Sequence, residues 1–125
     1  MRIKELCIKN FRGISDMKII PDPQINLIVG INGAGKSSIL DAISYLFSWF
    51  TARMMNNLKG IGSVIPIDDI KHGTSGCFVS LKIDEAGLWS LARNKPYHAA
   101  NEKYKTELKY MMDYILSVYN FDRIE

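Results

Sequence analysis

The chain has 125 residues, 47% hydrophobic and 23% charged, with a formal net charge of +3. That length suits one small domain with one hydrophobic core, and the composition excludes a disordered, collagen-like or repeat protein. Lys and Arg gather mildly toward both ends, but Glu5, Asp16, Glu102 and Glu107 are interleaved with them, which reads as a solvated face and argues against a dense nucleic-acid footprint on this segment.

The most apolar stretch, residues 39–55, is interrupted by Asp41, Ser44, Ser48 and Arg53, so no membrane span is expected. The sequence Met1-Arg2-Ile3-Lys4-Glu5 has no signal-peptide pattern, which points to a cytoplasmic protein. Cys7 and Cys77 each sit in a strand-like run without a second set of ligands, so both read as buried thiols in a reducing compartment.

In chain order, residues 2–9 mix apolar and charged residues in strand fashion, Phe11-Arg12-Gly13 interrupts them, and residues 17–20 resume; the pattern predicts an opening β-hairpin. Pro21-Asp22-Pro23 imposes an irregular connection. Ile25-Asn26-Leu27-Ile28-Val29 then reads as a central strand covered on both faces, ending at Gly30. Ile39, Ile43, Leu46 or Phe47 and Phe50 recur at helical spacing and predict a deeply buried helix over residues 36–58, closed by the glycines of Lys59-Gly60-Ile61-Gly62. Residues 63–74 read as a loop with at most one short strand. Cys77, Val79, Leu81 and Ile83 alternate with polar positions, and Asp84-Glu85-Ala86-Gly87 turns the chain toward residues 88–92, a second hairpin. Tyr104, Leu108, Met111, Ile115 and Tyr119 mark an amphipathic helix over residues 101–119.

One motif carries chemistry. Gly30-Ile31-Asn32-Gly33-Ala34-Gly35-Lys36-Ser37 fits G-x-x-x-x-G-K-[ST], followed by Ser38. The glycines let backbone N–H groups wrap a phosphate at a helix N-terminus, where the dipole also favours anions. On this reading Gly30, Ile31, Asn32, Gly33, Ala34, Gly35, Lys36, Ser37 and Ser38 form the nucleotide cradle. Lys36 reaches the β- and γ-phosphates, Ser37 is the Mg2+ ligand, and N–H groups from Asn32 to Ser38 line the loop. The strand before the loop and the helix after it are the context the motif needs. His72 and His98 lack neighbours at ligand spacing.

With Lys9-Asn10-Phe11-Arg12-Gly13 ahead of the loop and Ile39-Leu40-Asp41-Ala42-Ile43 behind it, the chain resembles the N-terminal lobe of ABC-type SMC and RecF ATPases of DNA repair and phage defence. The resemblance runs from residue 1 to about 95 and is strongest at the P-loop. It implies an α/β P-loop fold, ATP and Mg2+ as cofactors, and a place for Arg12 beside the nucleotide. It further implies residues 1–100 as part of an ATPase head and residues 101–125 either as the start of an inserted helical arm or as a helix packed on this same domain. Relatives of this kind dimerise around ATP to act on DNA or on a nuclease partner. The complete protein is accordingly expected to form a homodimer or higher oligomer, without a membrane.

The signature sequence, the Walker B strand with its glutamate and the switch histidine of such proteins have no counterpart here, so no catalytic residue is assigned. Val64-Ile65-Pro66-Ile67-Asp68-Asp69 imitates a Walker B strand, but Pro66 is unsuited to a central ladder, and Asp68 and Asp69 read as loop carboxylates. The chain is expected to bind nucleotide without turning it over, either as a piece of a longer protein, the favoured reading, or with its sheet completed by a second polypeptide. Two other functions remain open: a non-catalytic nucleotide-binding module that stabilises an assembly, and a P-loop GTPase or kinase, which the lack of Asn-Lys-x-Asp disfavours.

Overall fold

Alternation along the first and third apolar runs places one row of side chains on a common face, and two rows running across four strands show the consequence. A computed structural model of the chain describes residues 2–21, 33–96 and 104–118. Strands β1 (Ile3–Phe11), β2 (Ile14–Ile19), β3 (Gly76–Ile83) and β4 (Gly87–Asn94) form one antiparallel sheet in the order β2-β1-β3-β4. Ile19, Leu6, Leu81 and Trp89 make one cross-strand row, and Met17, Ile8, Val79 and Leu91 the next. Lys18, Cys7, Ser80 and Ser90 occupy a row of the opposite face.

Helices α1 (Gly33–Met55) and α2 (Lys109–Val118) supply core side chains against the apolar rows. Trp89, fully buried, stacks on Phe50 at 5.3 Å and meets Phe47 edge-on at 5.7 Å. Phe50 in turn lies 6.4 Å from Tyr114 of α2. Met111 and Ile115, four residues apart on α2, are fully buried in the same core. Both hairpins expected from the sequence are present, and pairing of β1 with β3 joins them into one sheet.

Several boundaries differ from expectation, each for a physical reason. Helix α1 stops at Met55, before the glycines. Asn57 (φ 52°) and Leu58 (φ 70°) are left-handed, and the Leu58 N–H reaches back to the Arg53 carbonyl at 2.8 Å, as in a Schellman ending. Gly60 and Gly62 serve close approach instead: a β-carbon on Gly60 would overlap the Ala52 carbonyl, and one on Gly62 would lie within 2.6 Å of Trp49.

The last helix is shorter than the periodicity suggests: residues 104–108 are not helical, and Glu107 forms an isolated β-bridge with Ser90. They cover the outer edge of β4, whose backbone groups would otherwise lack partners. Ser90 and Glu107 exchange backbone hydrogen bonds at 3.0 Å each way, and the Ala92 N–H donates to Thr106 Oγ1 at 2.9 Å. Tyr104 packs 5.4 Å from Phe78 on the other face of the sheet, away from the α2 stripe. Residues 101–103 and Tyr119 of the predicted helix, the strand 25–29 and His98 lie outside the described residues.

Candidate functional site

Gly30, Ile31 and Asn32 lie outside the described residues; from Gly33 onward the predicted cradle is the first turn of α1. The helix runs for 23 residues and has no acidic residue in its first turn, so its positive dipole end is unopposed by its own side chains. Lys36 and Ser37 are exposed there, while Ser38 and Ile39 turn inward at 7% and 1% exposure. The inward pair anchors the turn, and the outward pair is presented to solvent. Among the described residues no group of three His, Cys, Asp or Glu side chains could hold a metal ion.

Arg12 is built into the fold from two directions. Asn10 (φ 55°) and Arg12 (φ 54°) are both left-handed, a conformation costing on the order of 1–3 kcal/mol at a bulky side chain. The twist at Asn10 breaks the strand alternation, so that Phe11 joins Leu6 and Ile8 in the core, fully buried and edge-on to Tyr45 at 6.2 Å. The turn residue with positive φ is therefore Arg12 and not Gly13, around which a β-carbon would meet nothing within 4 Å.

The strain at Arg12 is held by a short backbone tie, from its N–H to the Asp69 carbonyl at 2.6 Å, and by its side chain. Nη1 donates to Asp41 Oδ2 at 2.6 Å, Nε to Asp69 Oδ1 at 3.2 Å and Nη2 to Asp69 Oδ2 at 3.5 Å. The guanidinium also sits 5.0 Å from the Phe11 ring centre. Tyr45 completes the group, its hydroxyl donating to Asp69 Oδ2 at 3.1 Å. Partial burial disfavours the Arg12 charge, but the bonds to Asp41 and Asp69 outweigh it and leave the guanidinium pKa above its usual value. Burial, with the Asp69 carboxylate second, raises that of Tyr45.

Asp69 ends a 3-10 turn, Ile67–Asp69, after which Ile70 bridges Phe11. Residues 64–69 therefore contain no strand, in keeping with the rejection of a Walker B reading. Asp69 is more than the loop carboxylate the sequence suggested, because it joins the β1–β2 turn to α1. Sequence reasoning also missed Asp41 and Tyr45 as partners of Arg12. The available signal was positional: Asp41 stands five residues past Lys36 in a helix whose neighbouring positions are apolar, about 7.5 Å along the axis, and Tyr45 follows one turn later.

The segment after α1 is strapped to that helix. Trp49 Nε1 donates to the Ser63 carbonyl at 2.9 Å, Arg53 Nε to the Gly60 carbonyl at 2.7 Å, and the Ser63 N–H to Ser48 Oγ at 2.8 Å. Cys77 is fully buried within β3, where burial pushes its thiol up to about 11, and the half-buried Cys7 is raised by burial and by Glu5. No helix among the described residues is long and apolar enough to cross a membrane.

A family profile described as an AAA domain matches residues 5–115. The chain is 67% identical over 45 residues to the DNA double-strand break repair Rad50 ATPase of Archaeoglobus fulgidus, a match covering 36% of this chain and 5% of the relative. Over 45 residues it is 47% identical to the DNA replication and repair protein RecF of Desulforamulus reducens, covering 36% and 12% respectively. Over 48 residues it is 44% identical to structural maintenance of chromosomes protein 2-2 of Arabidopsis thaliana, covering 37% and 4%. The chain thus spans a small share of the length of each of these relatives.

Proposed function

The chain belongs to the AAA domain family as an SMC/RecF-like N-terminal lobe with an α/β P-loop ATPase fold, and from that premise we propose that it binds Mg-ATP at the start of α1. The observation that carries this reading is the first turn of α1, where Lys36 and Ser37 are exposed on a long helix with no acid in that turn. Residues 30–38 form the cradle, with Lys36 on the terminal phosphates, Ser37 on Mg2+ and Arg12 at the phosphate side. Bound Mg2+ would neutralise phosphate charge; the chain's own groups hold and orient the nucleotide.

In the complete protein this lobe serves an ATPase of DNA repair or anti-phage defence whose nucleotide-driven dimerisation controls DNA binding or an associated nuclease. The DNA-repair roles of the Rad50 and RecF relatives support the repair context. The test is sedimentation of the full-length protein with ADP, with ATP and without nucleotide, alongside calorimetric titration of Mg-ATP. A doubling of mass with ATP alone is the expected result. Binding without a change of mass would refute the dimerisation mechanism, and absence of binding would refute the nucleotide site.

A further inference from the structure

We infer that Asp41, Asp69 and Tyr45 are positioning residues for Arg12, fixing its guanidinium so that its outer edge faces the phosphate end of a nucleotide; this rests on the binding reading above. A surface arginine that only balanced charge would gain little from two carboxylates and would keep its side chain mobile. Arg12 is instead held at a left-handed backbone position by its own N–H, stacked on Phe11, and bonded through Nε, Nη1 and Nη2. Asp69 takes the Nε side of the fork, Asp41 takes Nη1, and Tyr45 braces Asp69. These three bonds leave two of the five guanidinium N–H groups for a ligand, by the described residues alone. Because Asp41 rides on the same helix that opens at Gly33, the arginine's position is indexed to the cradle and not merely to the hairpin.

The arrangement has an electrostatic cost that makes the inference discriminating. Two carboxylates beside one arginine oppose a phosphate by charge, so removing either would tighten anion binding if Arg12 played no oriented role. If the carboxylates orient it, removing them weakens binding, and the loss depends on the arginine being there.

The experiment measures Mg-ATP affinity of the full-length protein and of Arg12→Ala, Asp69→Asn, Asp41→Asn, Tyr45→Phe and the doubles with Arg12→Ala, with melting temperatures recorded for each. Asp69→Asn is expected to weaken binding by about tenfold, Tyr45→Phe by a smaller factor, and neither to weaken it further in the Arg12→Ala background. Unchanged or tighter binding in Asp69→Asn and Asp41→Asn, or losses that persist at full size without Arg12, would overturn the inference while leaving the nucleotide site intact. If an Asp variant fails to fold, Tyr45→Phe, which keeps the ring against Phe11, decides the matter by the same double. Absence of binding by the unaltered protein would bring down the nucleotide reading and this inference together.

Discussion

Arg12 and Asp69, 57 residues apart, meet twice: backbone N–H to backbone carbonyl at 2.6 Å, and side chain to side chain at 3.2 Å. The double tie closes a loop that contains α1 and fastens its far end to the β1–β2 turn. With the Arg12 bond to Asp41 of α1, the turn, the helix and the Asp69 segment belong to one hydrogen-bonded neighbourhood, and the following outcomes are expected of it.

Lys36 is exposed at the start of α1. Lys36→Ala should leave the melting temperature unchanged and weaken Mg-ATP binding at least tenfold, a loss of ~1.4 kcal/mol or more. Calorimetric titration beside a thermal melt checks both halves; a drop in stability matching the loss of binding would place Lys36 in the fold and not in the site.

Asn10 has φ 55° and its carbonyl accepts the Lys71 N–H at 2.8 Å. A β-branched side chain is strained in that conformation, whereas glycine adopts it freely. Asn10→Val should destabilise by ~1–3 kcal/mol and Asn10→Gly by well under ~1 kcal/mol, as read from urea denaturation.

The glycines separate into two kinds. Gly62→Ala drives a methyl into Trp49 and should cost ~1–3 kcal/mol, with a shift in Trp49 fluorescence as its bond to Ser63 is disturbed. Gly13→Ala meets open space and should stay within ~0.5 kcal/mol of the parent protein. Equal effects at the two positions would contradict the close approach of residues 60–63 to α1.

Burial holds the Cys77 thiol near 11 against an ordinary 9.0. The unfolded chain then releases its proton at a lower pH than the folded one, so this contribution to stability is complete below pH 9 and is lost as pH rises toward 11. Relative to Cys77→Ala, the parent protein should lose on the order of 2 kcal/mol across that window. Denaturation curves at intervals from pH 8 to about 11 test the sign.

Much of this was legible along the chain. The α1 stripe through Ile39, Leu46 and Phe50 and the alternation of Cys77, Val79, Leu81 and Ile83 depend on near neighbours, and a period registers them within a few residues. Arg12 was singled out only by the family resemblance that Lys9-Asn10-Phe11-Arg12-Gly13 carries.

Folding settled what depends on distant partners. Residues 104–108 carry part of a helical stripe, yet the unpaired edge of β4 draws Glu107 and Thr106 into extended pairing with Ser90 and Ala92. The left-handed turn position fell to Arg12 although Gly13 stands next to it, because the Asp69 carbonyl and the Asp41 carboxylate hold Arg12 there. A charged residue looks the same in a sequence whether it is solvated or clamped. The difference lies in burial and in hydrogen-bond partners tens of residues away, and those exist only once β1 has paired with β3 and α1 has packed on the sheet.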